Sequence, residues 1–407
     1  MIKLIVLALR GFSIGARFLL SFLFIKHISL EFQGEYSLLI TTITICTLIS
    51  GLDFYVYANR FLIKNLDKAN FALSNQFIFH LCTYCLLIVV YFSLYLLGVT
   101  HDYITITVLF LVIFEHLGME FFRVYIALEK VLMANILLFL RTGVWPLILI
   151  YQLLFTETNI SLNLVINYWV LSGMLSVLIG FIYINRTIKL SKPVFDKKWI
   201  VRGIKVGGLF FVATGAQKII EFSDRFIIDA ILGPKTLGVY SFYFQLSNLV
   251  NVVIFTIFFS FMYPKIIYYI DKREKRNAMA IIGKLKLYSV VVIVIYALFL
   301  IFLMPYVLKF MDKPELNEYQ IVLYLFLAGN LFLNLSFTSH YALMAVEEDR
   351  RLMWIAIVVG VINISGNFVA VNYFGIIGAV CVFALSSALL YFAKGYAEKS
   401  YFKTYEW

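Results

Sequence analysis

Residues 224–265 read DRFIIDAILGPKTLGVYSFYFQLSNLVNVVIFTIFFSFMYPK. A charged entry at Asp224, Arg225 and Asp229 gives way to a short Leu-Gly loop. The tetrad Gly238, Val239, Tyr240, Ser241 follows, then an apolar run that closes at Pro264. The run over 237–262 is long enough to cross about 30 Å of hydrocarbon at about 1.5 Å per helical residue. Segments of this kind recur along the chain, at 4–25, 36–58, 71–98, 103–126, 131–155, 161–184, 203–232, 237–262, 285–308, 319–345, 352–372 and 375–397. Of the 407 residues 62% are hydrophobic and 14% charged, where soluble domains carry about 25% charge. The sequence therefore predicts an all-α polytopic membrane protein of about twelve transmembrane helices.

The tetrad has a twin. Gly34, Glu35, Tyr36, Ser37 precedes it by 238 − 34 = 204 residues, at the end of the loop between the first and second helices of its half. A long basic stretch from Arg186 to Lys205, containing Pro193, divides six segments from six, giving an N-terminal bundle over 1–190 and a C-terminal bundle over 191–407. Six is even, so both halves enter the membrane in the same sense. The expectation is a parallel repeat whose pseudo-twofold axis runs along the membrane normal.

Orientation follows from loop charge. The odd-numbered loops hold only Lys26, Lys235, Lys309 and Lys313, while the amino-terminal end, the even-numbered loops and the tail hold the other basic residues outside the spans. Both termini are expected in the cytoplasm. The first segment carries Arg10 and Arg17 and lacks an Ala-x-Ala cleavage pattern, so it reads as a retained helix and not a signal peptide. The net charge of +11 is accounted for by these topogenic loops, including the run Asp271 to Arg276, without a nucleic-acid partner. Cys46, Cys82, Cys85 and Cys381 fall in apolar segments and read as packing residues; Cys82 and Cys85 lack the second ligand pair a zinc site needs. No metal site and no cofactor is predicted.

The stretch over 17–60, RFLLSFLFIKHISLEFQGEYSLLITTITICTLISGLDFYVYANR, resembles the opening of bacterial polysaccharide-unit flippases of the Wzx type. These belong to the multidrug/oligosaccharidyl-lipid/polysaccharide exporter superfamily. The stretch quoted first resembles that family's second-half signature of D-R, a short L-G loop, G-x-Y-S and a closing Pro. The resemblance implies a carrier in the bacterial inner membrane for undecaprenyl-pyrophosphate-linked oligosaccharide of the O-antigen kind. The cargo would pass from the cytoplasmic to the periplasmic leaflet, with membrane lipid, a polysaccharide polymerase and a chain-length regulator as partners.

The residues carry an independent argument. Arg10, Arg17, Arg141, Lys218 and Arg225 lie inside apolar segments, where each charge costs about 2.5–3.5 kcal/mol on insertion scales. Arg10 and Arg17 stand about 20° apart on a helix, with Ser13 and Ser21 beside them. Lys218, Glu221, Arg225 and Asp229 fall within an arc of about 80°. Glu221 is placed to pair with Lys218 or Arg225, and Glu115 with Arg141 at similar depth. Two readings follow: buried pairs that fix register, or an excess of cation lining a cavity between the halves and receiving a pyrophosphate.

Glu115, Glu221, Asp224 and Asp53, with His116 near Glu120, are candidates for proton or sodium coupling, because burial raises a carboxyl's proton affinity. No G-x-x-x-x-G-K-[ST] is present, which speaks against ATP drive within the chain. Pro146 is expected to kink the fifth segment one turn beyond Arg141. The alternative function is a small-molecule or drug antiporter of the same superfamily, which for cationic drugs would call for an acidic cavity. A membrane polymerase or ligase, and enzyme activity generally, is disfavoured because every odd-numbered loop is short. No catalytic residues are predicted.

Overall fold

The computed structural model describes residues 2–98, 106–156, 158–188 and 192–404, and among these no strand occurs. The helices in chain order are α1 (Ile2–His27), α2 (Leu30–Gly51), α3 (Tyr55–Lys64), α4 (Ala69–Leu96), α5 (Ile106–Ala127), α6 (Val131–Thr142), α7 (Val144–Phe155) and α8 (Leu162–Ile188). They continue with α9 (Lys197–Leu232), α10 (Pro234–Ile254), α11 (Ser260–Asp271), α12 (Lys275–Met311), α13 (Pro314–Glu318), α14 (Gln320–Met344) and α15 (Asp349–Thr404). Ten stretches are long and apolar enough to cross a membrane with at most two charges in the window. α5 escapes that criterion because Glu115, Glu120 and Arg123 share one stretch, yet it has a span's length. α15 counts as one but holds two spans: Gly375 adopts φ +58° and breaks it. Asn363 then donates to the Ser386 hydroxyl at 3.0 Å across the resulting hairpin. Among the described residues the total is twelve.

Local chemistry explains the breaks. α2 ends at Gly51, and Leu52 and Asp53 take left-handed φ of +44° and +48°, so the second span stops short of the expected 58. The fifth span splits at Gly143, two residues beyond Arg141, because Pro146 has no N–H to give the Thr142 carbonyl and crowds the preceding turn. The eighth passes from α10 through a π turn at Phe255–Phe259 into α11, one turn ahead of Pro264. Gly233 at φ +81° and Pro234 at the first helical position make the tight turn into α10.

The chain forms two compact units: residues 1–28 with 39–212, and residues 29–38 with 213–407. The division expected near 190 and 191 lies outside the described residues. In the first unit, Leu62, Val124, Tyr125, Leu137 and Ile184 form one core cluster, and Phe54, Phe79 and Trp199 form an aromatic one, with Phe54 stacked on Phe79 at 4.3 Å. In the second unit, Ile254, Phe259, Ile266, Ile282 and Leu285 form a comparable core. Cys82 and Cys85 are exposed on α4, so the core packing expected of them does not hold; that face of the helix is the apolar exterior.

The repeated tetrads lie inside α2 and α10 and not in the preceding loops, and both belong to the second unit. They face each other. A Cβ on Gly34 would stand 1.9 Å from the Pro234 carbonyl oxygen, and one on Gly238 would stand 1.9 Å from the Leu30 oxygen. Ser241 donates to the Ser37 hydroxyl at 2.8 Å. Gly34 meets Pro234 as Gly238 meets Leu30, each pair in the 204-residue register. This is the reciprocal geometry of a twofold contact within one chain, and only glycine lets the two backbones approach so closely.

Candidate functional site

In the first unit, α1 carries Arg10, Ser13, Arg17 and Ser21 along one face, with both serines buried. Arg10 is exposed and donates from Nε to Asn135 Oδ1 of α6 at 2.6 Å. Arg17 is half-buried and donates from Nε to the Thr142 carbonyl at 3.2 Å. That carbonyl is the one Pro146 leaves without a helical donor, so Arg17 satisfies a backbone group that would otherwise be stranded in an apolar layer. Its guanidinium sits 5.8 Å from the Trp145 ring and 5.4 Å from the Trp169 ring, which themselves stack at 4.8 Å. Each such contact is worth about 0.5–2 kcal/mol. The remaining Arg17 nitrogen, NH2, is buried without a hydrogen-bond partner.

Arg141 of α6 reaches Glu115 of α5, as the matching depths suggested. It donates to the Glu115 backbone oxygen at 2.8 Å and to Oε2 at 3.0 Å, while Trp169 donates to Oε1 at 2.5 Å. Both charged side chains are buried. Gly118 makes room for the arginine, since a Cβ there would meet its Cδ at 2.6 Å. The Arg141 charge is thereby matched by Glu115. Asp53 is buried in the turn after α2, where Gly207 of α9 approaches so closely that a Cβ would lie 2.8 Å from the Leu52 oxygen.

In the second unit, Glu221 pairs with Lys218 at 2.7 Å, both half-exposed, which decides between the two partners open to it. Asp224 and Arg225 are buried. The Tyr240 hydroxyl donates to Asp224 Oδ2, and the Arg225 backbone N–H to Oδ1 at 2.7 Å. Arg225 lies over the rings of Phe222 and Phe244 at 4.8 and 4.5 Å. A cavity of about 390 Å³ opens beside them, lined among others by Gln217, Glu221, Asn248, Asn251, Phe337 and Lys394.

Several polar groups here escaped the sequence. Lys394 is 4% exposed and lies 5.8 Å from the Phe337 ring. Glu398, one turn on, is buried and accepts from Lys286 at 3.0 and 2.9 Å and from Ser339 at 2.5 Å. Asn251 bridges α10 to α14, donating to Asn330 at 2.9 Å and accepting from Asn334 at 2.6 Å. The only available signal was a lysine and a glutamate four residues apart at the end of the last apolar segment. That spacing reads equally as a wet helix end.

No family model and no curated relative matches the chain. Solved structures do. An inward-facing multidrug resistance MATE family transporter of the MOP superfamily superposes with a TM-score of 0.73 at 12% identity, covering 97% of this chain and 96% of the other. The lipid II flippase MurJ, in an inward closed conformation, gives 0.74 at 14% identity over 97% of this chain and 87% of that one. A mutant form of the Vibrio cholerae MATE transporter VcmN gives 0.62 at 12% identity over 100% and 98%. The chain shares the fold of these membrane proteins across its whole described length.

Proposed function

We propose that this protein is a flippase for a lipid-linked oligosaccharide carried on a pyrophosphate, of the undecaprenyl type, moving it from the cytoplasmic to the periplasmic leaflet by alternating access. Arg17 is the observation that carries this. Neither it nor Arg10 has a carboxylate within ion-pair distance among the described residues, and Arg17 keeps a buried nitrogen without a hydrogen bond. A guanidinium held this way keeps a donor still to give, which would reach a phosphate oxygen once a conformational change uncovers it. Arg141 in the first unit and Lys218 and Arg225 in the second are proposed as further anion contacts, Arg141 and Lys218 being partly offset by Glu115 and Glu221. A flippase of the same fold, MurJ, is named for lipid II, and this supports a lipid-linked cargo.

In this reading the protein sits in the bacterial inner membrane with both termini cytoplasmic. A polysaccharide polymerase and a chain-length regulator act downstream of it, and no enzyme chemistry is required. Coupling to protons or sodium would fall to Glu115, Glu221, Asp224 or Asp53. The test is deletion of the gene and complementation with Arg17→Gln, Arg141→Gln, Lys218→Gln and Arg225→Gln at matched membrane levels, with surface polysaccharide as the readout. Full display with every variant overturns the proposal. Flipping in vesicles that ignores imposed proton and sodium gradients removes the coupling.

A second reading, export of small cationic molecules, draws on the multidrug resistance transporter among the superposed structures and on Glu221 at the wall of the second unit's cavity. Dye efflux lost in Glu221→Gln, with polysaccharide display intact in the arginine variants, would favour it.

A further inference from the structure

α4 and α5 bring together three side chains that neither unit's proposed cargo chemistry uses. His80 comes from α4, and His116 and Glu120 from α5. One ligand atom of each lies within 4.8 Å of the others. His80 Nε2 is 3.5 Å from Glu120 Oε2, and His116 Nε2 is 3.7 Å from Oε1. A tetrahedral ion with bonds of about 2.0–2.1 Å holds its ligand atoms about 3.3 Å apart, so modest side-chain rotation closes the set around one ion.

Burial makes the cluster costly without a ligand. His80 is 2% exposed and His116 0%; Nδ1 of His80 has no hydrogen-bond partner, and the two Nε2 atoms have only the Glu120 oxygens, at distances too long for a good hydrogen bond. A buried polar atom left so costs about 1–3 kcal/mol. The other nitrogen of His116, Nδ1, is 2.6 Å from the Tyr84 hydroxyl. This is how an outer hydrogen bond orients a ligating imidazole. Gly51 of α2 supplies room: a Cβ there would stand 2.8 Å from His116 Nε2.

Glu120 already accepts from Gln76 at Oε2 and from Arg123 at Oε1, both at 2.5 Å. Each carboxylate oxygen offers two acceptor positions, so one on each remains. The arginine offsets the carboxylate charge, which weakens the site for hard calcium or magnesium ions that need several oxygens. Two imidazoles and one carboxylate suit a borderline ion.

We propose that His80, His116 and Glu120 bind a transition-metal dication of the zinc class, pinning α4 to α5 inside the first unit. The test uses the full chain, purified in detergent through a tag without histidine and stripped with chelator. It is titrated with Co²⁺, whose visible ligand-field bands report coordination, and then with Zn²⁺. One Co²⁺ per chain is expected, displaced by Zn²⁺. The variant with both His80→Ala and His116→Ala should bind at least about 100-fold more weakly. Gly51→Ala, which keeps every ligand but fills the approach, should lose about tenfold or more. His80→Gln guards against misfolding. With a metal-free unfolding temperature equal to the unmodified chain's, it should still lose the bands. The proposal is overturned if the unmodified chain shows no bands, if the double variant binds as tightly, or if folded His80→Gln keeps the bands.

Discussion

Replacing Gly34 with alanine tests the contact between the two tetrads. The new Cβ would lie 1.9 Å from the Pro234 oxygen and 2.7 Å from its carbon, and both are backbone atoms with no rotamer to yield. Ordinary contact begins at about 3.4 Å, so α2 and α10 must part locally by 3.4 − 1.9, about 1.5 Å. Carried to the next turn, that displacement stretches the 2.8 Å bond between Ser241 and Ser37 to about 4.3 Å, beyond hydrogen-bond reach. Overpacking costs about 1–3 kcal/mol and the lost bond about 1 kcal/mol more. Ser37→Cys with Ser241→Cys, in a chain whose four native cysteines are replaced, reads the separation directly. Oxygens 2.8 Å apart place two sulfurs where an S–S bond of about 2.05 Å forms under mild oxidant, scored by loss of maleimide labelling. Adding Gly34→Ala should slow the cross-link at least about tenfold, and Gly238→Ala should match it through the reciprocal contact. Cross-linking at the unaltered rate in either variant, with an unaltered unfolding temperature, refutes the reasoning.

Three other outcomes are expected. Glu115→Ala strands the buried Arg141 charge and should cost about 3–5 kcal/mol, read as a lowered unfolding temperature. Glu115→Leu with Arg141→Met should recover most of it, and a double variant as unstable as the sum of the singles would deny the pairing. Arg17→Lys should lose about 1–2 kcal/mol, because one ammonium does not span the Thr142 carbonyl and both indole faces; unchanged stability would show the fork geometry to be irrelevant. Outside the spans, the Lys235 ammonium bonded to Glu315 at 2.7 Å holds that carboxyl below its ordinary value. A depressed carboxyl stabilises above its unfolded pKa, about 4.3. Its contribution should be constant from pH 7 to 5 and fade only below about pH 4. Lys235 is 62% exposed, so the effect should be small and vanish in high salt; an acid loss of stability equal in Glu315→Gln would show that another group is responsible.

What the sequence revealed divides by the kind of physics involved. Span number and the repeat were legible, since hydrocarbon thickness and a 204-residue register leave one-dimensional traces. The approach of Glu115 to Arg141 was legible too, because opposite charges near the middle of consecutive apolar segments have few other partners at that depth. The stop at Leu52 was not, because the left-handed φ falls on Leu52 and Asp53 and not on Gly51 beside them, and a lone glycine within an apolar run does not by itself mark a helix end. The His80, His116 and Glu120 cluster needed the rotation of α4 against α5, which periodicity does not supply for a helix apolar on nearly every face. Lys394 and Glu398 were hidden for a different reason: they flank the end of the last apolar segment, where charge reads as a wet helix terminus, but the helix runs on to Thr404 and holds both in packed surroundings.

The bond from Arg17 to the Thr142 carbonyl has a consequence for how this chain tolerates change. Pro146 alone would leave an acceptor bare in an oily layer, and Arg17 alone would bring a charge there without an anchor. Together each excuses the other. The two positions should therefore be epistatic: among divergent descendants of this chain, loss of the proline should relax selection on the arginine. An arginine kept after the proline has gone would be kept for the sake of what it binds.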